Sequence, residues 1–168
     1  MDHIKELAAR VRTEPAAMAD LFKTVCREVV GRVGSTRASI WSFNDAGDEI
    51  TCECLLDTWD GKYSQGVKLK QQDFPEYFAA IKNDLKVVAT EARTHVATSC
   101  FTKDYFGPLD IHSLLDFVIL SKGEPVGVLC CEHCGQVKQW TDEHVELLHQ
   151  LSTILSLVWK YRTVAAAP

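Results

Sequence analysis

The run Leu114-Leu115-Asp116-Phe117-Val118-Ile119-Leu120 is apolar at every position but one. Its length suits a strand buried in a sheet better than a helix. Lys122-Gly123-Glu124 supplies turn chemistry, and Val126 to Cys134 returns as a second strand. The pair predicts a hairpin that a larger fold must cover. Asp116 is the exception inside it. A carboxylate in an apolar strand must find a partner or shift its pKa. We therefore expect Asp116 to face a pocket.

Around this hairpin the chain alternates helices and short strands. Ile4, Leu7, Ala8 and Val11 fall at helical spacing, as do Met18, Leu21, Phe22, Val25 and Val29. Pro15 suits a first helical turn, and Gly31 and Gly34 are stop signals. Arg37 to Phe43 predicts a strand, Asn44-Asp45-Ala46-Gly47 a turn, and Glu49 to Trp59 the partner strand. Residues 61–66 are expected as loop and Val67 to Leu69 as a short strand. Asp73 is a candidate cap for a helix through Ile81, with Pro75 in its first turn. Val87 to Ala89 predicts a strand, 91–99 an irregular stretch and 101–106 a short helix. Thr141-Asp142-Glu143 caps a last helix bearing Val145, Leu148, Leu151, Ile154, Leu155 and Val158.

This order predicts an α+β domain on a mainly antiparallel sheet. The end helices share one face, and the middle connections cover the other. At 168 residues the chain suits one domain. We divide it into N-terminal helices (1–34), sheet and pocket segments (35–140), a C-terminal helix (141–161) and a frayed tail (162–168).

The formal net charge of -5, with no basic run, excludes nucleic acid as a partner. No apolar run reaches the roughly 18 residues of a membrane span, and the charged N-terminus lacks a secretion signal's apolar core. A cytoplasmic location is expected, with the seven cysteines as thiols.

Gly127-Val128-Leu129-Cys130-Cys131-Glu132-His133-Cys134-Gly135 is rich in metal-ligand side chains. Strand alternation separates them. Cys130, Glu132 and Cys134 share one face; Leu129, Cys131 and His133 share the other. Cys130 and Cys134 lie ~13 Å apart along a strand. Cys131 and His133 alone do not complete a tetrahedral site, so no metal is expected. Cys130 and Cys131 are expected as small core residues. The same alternation puts Cys52 and Cys54 on one face. Cys100, in a polar loop, is the best candidate for a reactive thiol, but no evident base lies beside it.

Several segments together resemble a GAF domain, the small-molecule sensor module of signalling proteins. They are R-A-S-I-W-S-F (37–43), Q-D-F-P-E-Y-F (72–78), E-A-R-T (91–94), Y-F-G-P-L-D-I-H-S-L-L-D (105–116) and G-V-L-C-C-E-H-C-G-Q-V-K-Q-W-T-D-E (127–143). The resemblance implies a six-stranded antiparallel sheet with terminal helices on one face. A ligand pocket lies on the other, under crossing loops and short helices. The pattern is also similar to the chromophore-binding GAF domain of phytochromes. By that similarity the ligand-binding positions are Trp41, Asp73, Phe74, Pro75, Tyr105, Asp116, Val118 and His133. Plain packing remains open for Trp41 and Tyr105, and a hydrogen bond to Asp116 for His133. Bilin proteins carry a histidine in the short-helix region, often beside a cysteine. Here Cys100-Phe101-Thr102 lacks it, so no covalent bilin is expected.

The resemblance implies a non-catalytic, ligand-sensing regulatory domain. It would signal through a homodimer or a partner protein. The ligand and the partner are not named by the residues. For the dimer we expect Ile4, Leu7 and Val11 of the first helix, part of the last helix, and Trp159 to meet a second copy. Two alternatives stand beside this reading. One is a thiol enzyme like the free methionine sulfoxide reductase, acting through Cys100. The other is a structural dimerisation domain whose pocket is filled by Trp41, Phe74 and Phe117.

Overall fold

Lys122 and Gly123 both take positive φ, 52° and 86°. That geometry folds one strand directly back on the next, and Ser121 pairs with Glu124 across the turn. The two strands it joins, Ile111–Ser121 and Glu124–Cys134, are the longest in the sheet. The computed structural model describes residues 1–162. In chain order it runs α1 (Asp2–Val11), α2 (Met18–Val33), β1 (Arg37–Phe43), β2 (Glu49–Asp57), β3 (Lys62–Ser64) and β4 (Lys68–Lys70). Then come α3 (Pro75–Asp84), β5 (Lys86–Ala89), β6 (Ile111–Ser121), β7 (Glu124–Cys134) and α4 (Asp142–Val158).

One antiparallel sheet carries all the strands in the order β3-β2-β1-β7-β6-β5, with β4 also paired to β2. β3 lies where a loop was expected. Its alternation is too short to register, but Leu55 to Asp57 offer it a free edge. β6 starts at Ile111 rather than Leu114, because a register shift before Ser113 absorbs the polar His112.

The terminal helices cover one face, as expected. α2 packs on β1 and β2, and α4 on β6 and β7. α1 lies on α2 and α4 rather than on the sheet. The core between them takes Ala38 and Ile40 of β1, Leu115, Phe117 and Ile119 of β6, and Leu129 and Cys131 of β7. Fully burying a leucine such as Leu148 or Leu151 contributes about 1.5–3 kcal/mol. Thr141 caps α4, accepting from the His144 amide at 3.3 Å while the His144 ring accepts from the Thr141 amide. Gly34, at φ 67°, ends α2; Gly31 stays inside the helix.

The interface expected for a second copy is largely consumed within the chain. Ile4, Leu7 and Val11 are buried against α2 and α4. Trp159 is buried too, 5.9 Å from the Phe22 ring. It lies so close to Gly127 that a Cβ there would sit 2.8 Å from the indole and would clash with the Trp41 carbonyl oxygen. The glycine is what lets Trp159 lie against β7. In the expected tail, Arg162 is held by an ion pair with Glu53; residues 163–168 lie outside the described residues.

Candidate ligand site

The second face of the sheet is roofed by α3 and by the 3-10 and π turns at Ser99–Phe101 and Thr102–Phe106. Pro75 starts α3, but Asp73 does not cap it. Phe74 occupies the N-cap position with no side-chain cap bond. α3 runs on to Asp84, past the expected end at Ile81.

A β-bulge sets what this face presents. The β1–β2 register shifts between Ile40 and Trp41, which pair with Cys54 and Cys52. Glu53 is the extra residue. It flips the alternation, so Cys52 joins the roofed face while Cys54 joins the helix core. The expectation of a shared face for these cysteines fails for that reason.

The roofed face carries polar residues at its centre. Asp116 of β6 lies opposite Cys130 of β7, which lies opposite Ser39 of β1. In the adjacent row Arg37 lies opposite Glu132, which lies opposite Leu114. Trp41 follows, its indole donating to the Ser39 hydroxyl at 2.8 Å. From the roof, Tyr77 donates its hydroxyl to Asp116 Oδ2 at 2.5 Å. Phe74 and Phe101 stack at 4.3 Å, and Tyr77 meets Phe101 edge-on at 4.9 Å.

Several of these groups are buried without full partners. Asp116 is 1% exposed and Glu132 2%. Asp116 Oδ1, Glu132 Oε2 and Arg37 Nε have no hydrogen-bond partner of good geometry. Arg37 Nε does lie 3.2 Å from Glu132 Oε2 and 3.8 Å from Asp57, so the charges attract without an aligned bond. Burial pushes the Asp116 carboxyl up to about 7, against weaker pulls from the Cys130 thiol and Tyr77. Burial raises Glu132 as well, held back by Arg37 and by the Tyr105 hydroxyl. Tyr77 and Tyr105 are pushed well above the usual phenol range, in both cases chiefly by burial.

Of the residues singled out in the sequence, Trp41, Phe74, Tyr105 and Asp116 meet on this face. Val118 shares it by alternation, opposite Val128. Asp73 and Pro75 are exposed at the rim. His133 is not there: it alternates with Leu129 and Cys131 on the helix face, opposite Ser113. A bond to Asp116 is therefore out of reach. Burial and Lys138 lower its pKa. Phe117 also faces the helices, stacked at 5.5 Å on His149, so it does not fill the pocket. The sequence pattern alone does not single out Arg37, Ser39, Tyr77 or Glu132. Counting back by two from Trp41 finds the first pair, and Tyr77 stands inside the quoted Q-D-F-P-E-Y-F.

The space between sheet and roof is closed in this conformation, with Trp41, Phe74, Tyr77 and Phe101 all buried. Cys100 is half-buried, and burial raises its pKa, the opposite of what a thiol nucleophile needs. Among the described residues no three His, Cys, Asp or Glu side chains gather as a metal site. No described helix is long and apolar enough to cross a membrane.

The family model for the GAF domain matches residues 17–159. The chain belongs to the GAF domain family. GAF domains are sensory and regulatory modules, and the antiparallel sheet with its helix layer is their architecture. The phycoerythrobilin-bound GAF domain from a cyanobacterial phytochrome superposes with a TM-score of 0.74 at 16% identity, covering 94% of this chain and 92% of that one. The GAF domain from Acinetobacter phosphoenolpyruvate-protein phosphotransferase gives 0.72 at 15% identity, covering 95% and 92%. A domain of a putative two-component sensor histidine kinase protein from Sinorhizobium meliloti 1021 gives 0.62 at 13%, covering 84% and 90%. Identities this low establish a shared fold alone. No curated protein matches the chain.

Proposed function

We propose that this GAF domain is a non-catalytic sensor of a small molecule. The ligand enters between the sheet and its roof when α3 and the 99–106 turns lift. Trp41, Phe74, Tyr105, Asp116 and Val118 line the site, with Asp73 and Pro75 at its rim. The observation that carries the reading is the pair of buried oxygens without an aligned hydrogen bond, Asp116 Oδ1 and Glu132 Oε2. Unsatisfied buried acceptors are costly. A ligand that supplies donors offsets that cost. The roof is made of short turns and one ten-residue helix, the kind of segment that opens at low free energy.

Output then passes to a second copy or a partner protein, in a cytoplasmic setting where the thiols stay reduced. The surface left for that contact is the α1–α4 groove. There Leu157, 71% exposed, lies among Lys5, Arg12 and Lys160. Light scattering at micromolar concentration reports the subunit count.

Native mass spectrometry of protein from its own host tests the sensor reading. One small organic molecule retained per chain is the expected result. A chain that carries nothing, and whose melting temperature responds to no compound in a metabolite panel, overturns it.

A further inference from the structure

We infer that the ligand is a flat aromatic cation whose head group carries at least two N–H donors. This rests on the sensor reading above and names the chemistry of its ligand. The charges on the roofed face decide the sign. Arg37 is already matched, at 3.2 Å to Glu132 and 3.8 Å to Asp57. Among the described residues no Lys, Arg or His comes within ion-pair distance of Asp116; the groups that donate to it, the Tyr77 hydroxyl at 2.5 Å and the Cys130 thiol, are neutral, and its Oδ1 has no aligned partner. Once Asp116 is ionised, above about pH 7, the buried set of Arg37, Glu132 and Asp116 holds one carboxylate more than its cation balances. An anionic head group would add a third negative charge beside Asp116 and Glu132. A neutral apolar ligand would leave Asp116 Oδ1 without a donor and Glu132 Oε2 with only the misaligned Arg37.

The number of donors follows from the acceptors. Asp116 Oδ1 is free, and Oδ2 keeps a second lone pair beside the one Tyr77 uses. A planar head with two parallel N–H groups matches a carboxylate in this way, and charge assistance roughly doubles each bond. The flatness follows from the walls. Trp41 lies in the floor, and Phe74, Tyr77 and Phe101 form the roof. The roof already pairs flat rings face to face, Phe74 on Phe101 at 4.3 Å, and a flat ligand would extend that stack. Aromatic faces also attract a cation, more strongly where water is excluded.

Three probes share one ring and differ only in the head: benzamidine, benzamide and benzoate. Titration calorimetry with the full chain compares them at pH 8. Benzamidine is expected to bind at least about tenfold more tightly than benzamide, and benzoate not at all. Asp116→Asn is expected to bring benzamidine and benzamide within about twofold of each other, with the fold intact by circular dichroism. Equal or tighter binding of benzamide or benzoate overturns the inference. So does a benzamidine affinity that Asp116→Asn leaves unchanged, since the cation then binds elsewhere. If no probe binds but the host protein retains a neutral or anionic molecule, the ligand class is wrong and the sensor reading stands. If no probe binds and nothing is retained, both fall.

Discussion

The two faces of this sheet are built from the same strands, often from adjacent residues, yet they solve opposite problems. Cys131 faces the helices in a core of leucine, valine and isoleucine. Its neighbour Cys130 faces Asp116 and Ser39 under an aromatic roof. On the helix face polar atoms are rare and most are partnered, with His133 Nδ1 an exception. Ser152 bonds to the His149 carbonyl, and the Ser156 hydroxyl accepts from the Leu120 amide. On the roofed face Asp116, Glu132 and Arg37 keep atoms without aligned partners. The helix face is arranged for stability. The roofed face is a place where stability has been given up, which is what binding sites require.

Adding a charge to the helix face should therefore destabilise the chain, whereas removing charge from the roofed face should cost little or stabilise it, provided no buried partner is stranded. The largest effect is expected at Val11→Asp, on a residue with no exposed surface between α1 and the other helices. A carboxylate there has no partner, and the cost is about 4–5 kcal/mol or more. The chain should be unfolded or nearly so by circular dichroism. A folded Val11→Asp protein that merely changes its subunit count would move this residue to an interface between copies.

Next comes Arg37→Met. It leaves Glu132 buried without its cation, at a cost of about 3–5 kcal/mol. Adding Glu132→Leu should recover most of that loss, because the pair itself contributes little against an apolar replacement. Urea denaturation of the single and double variants measures both. A double variant as unstable as the single one would mean that the polar row is needed for folding, and the contrast between faces would collapse.

Asp116→Asn acts in the stabilising direction, with a clear pH signature. Folding raises the Asp116 pKa from 3.8 to about 7. The folded chain therefore holds this proton more tightly than the unfolded chain. That stabilisation is full below about pH 4 and is lost as pH rises to 7. The upper bound of the loss is about 4 kcal/mol. Glu132 is raised as well and works in the same direction, while Tyr77 and Cys130 titrate only at alkaline pH. Asparagine removes the Asp116 contribution. The stability of Asp116→Asn relative to the native chain should grow from pH 5 to pH 8. A difference constant with pH would show that Asp116 is not buried in this way.

Most of the fold was legible because periodicity marks it. Arg37 to Phe43 matches its strand end to end, and Thr141 caps its helix as expected. What escaped were features set by partners rather than by local pattern. β3 exists only because β2 offers an edge. The bulge at Glu53 separates Cys52 from Cys54, and no local residue pattern announces it. The site was half legible. Asp116 stood out as a charge in an apolar run. Glu132 did not, because it sits among cysteines and a histidine that together read as metal-ligand side chains. His133 was misplaced by family likeness although strand alternation already put it on the opposite face from Glu132.

The smallest expected effect is at Thr141, and it sharpens the contrast from the helix side. Thr141→Ala removes the hydroxyl that accepts from the His144 amide and leaves an N-terminal donor of α4 unpaired. Such caps contribute about 1 kcal/mol. α4 packs on β6 and β7 from the helix face, whereas Asp116 and Glu132 point from those strands to the roof. If the faces divide their work as proposed, Thr141→Ala lowers the urea midpoint slightly and leaves benzamidine affinity unchanged within twofold. A larger loss of affinity would mean that α4 senses the roofed face through the sheet, so that stability and ligand binding are coupled across it rather than separate.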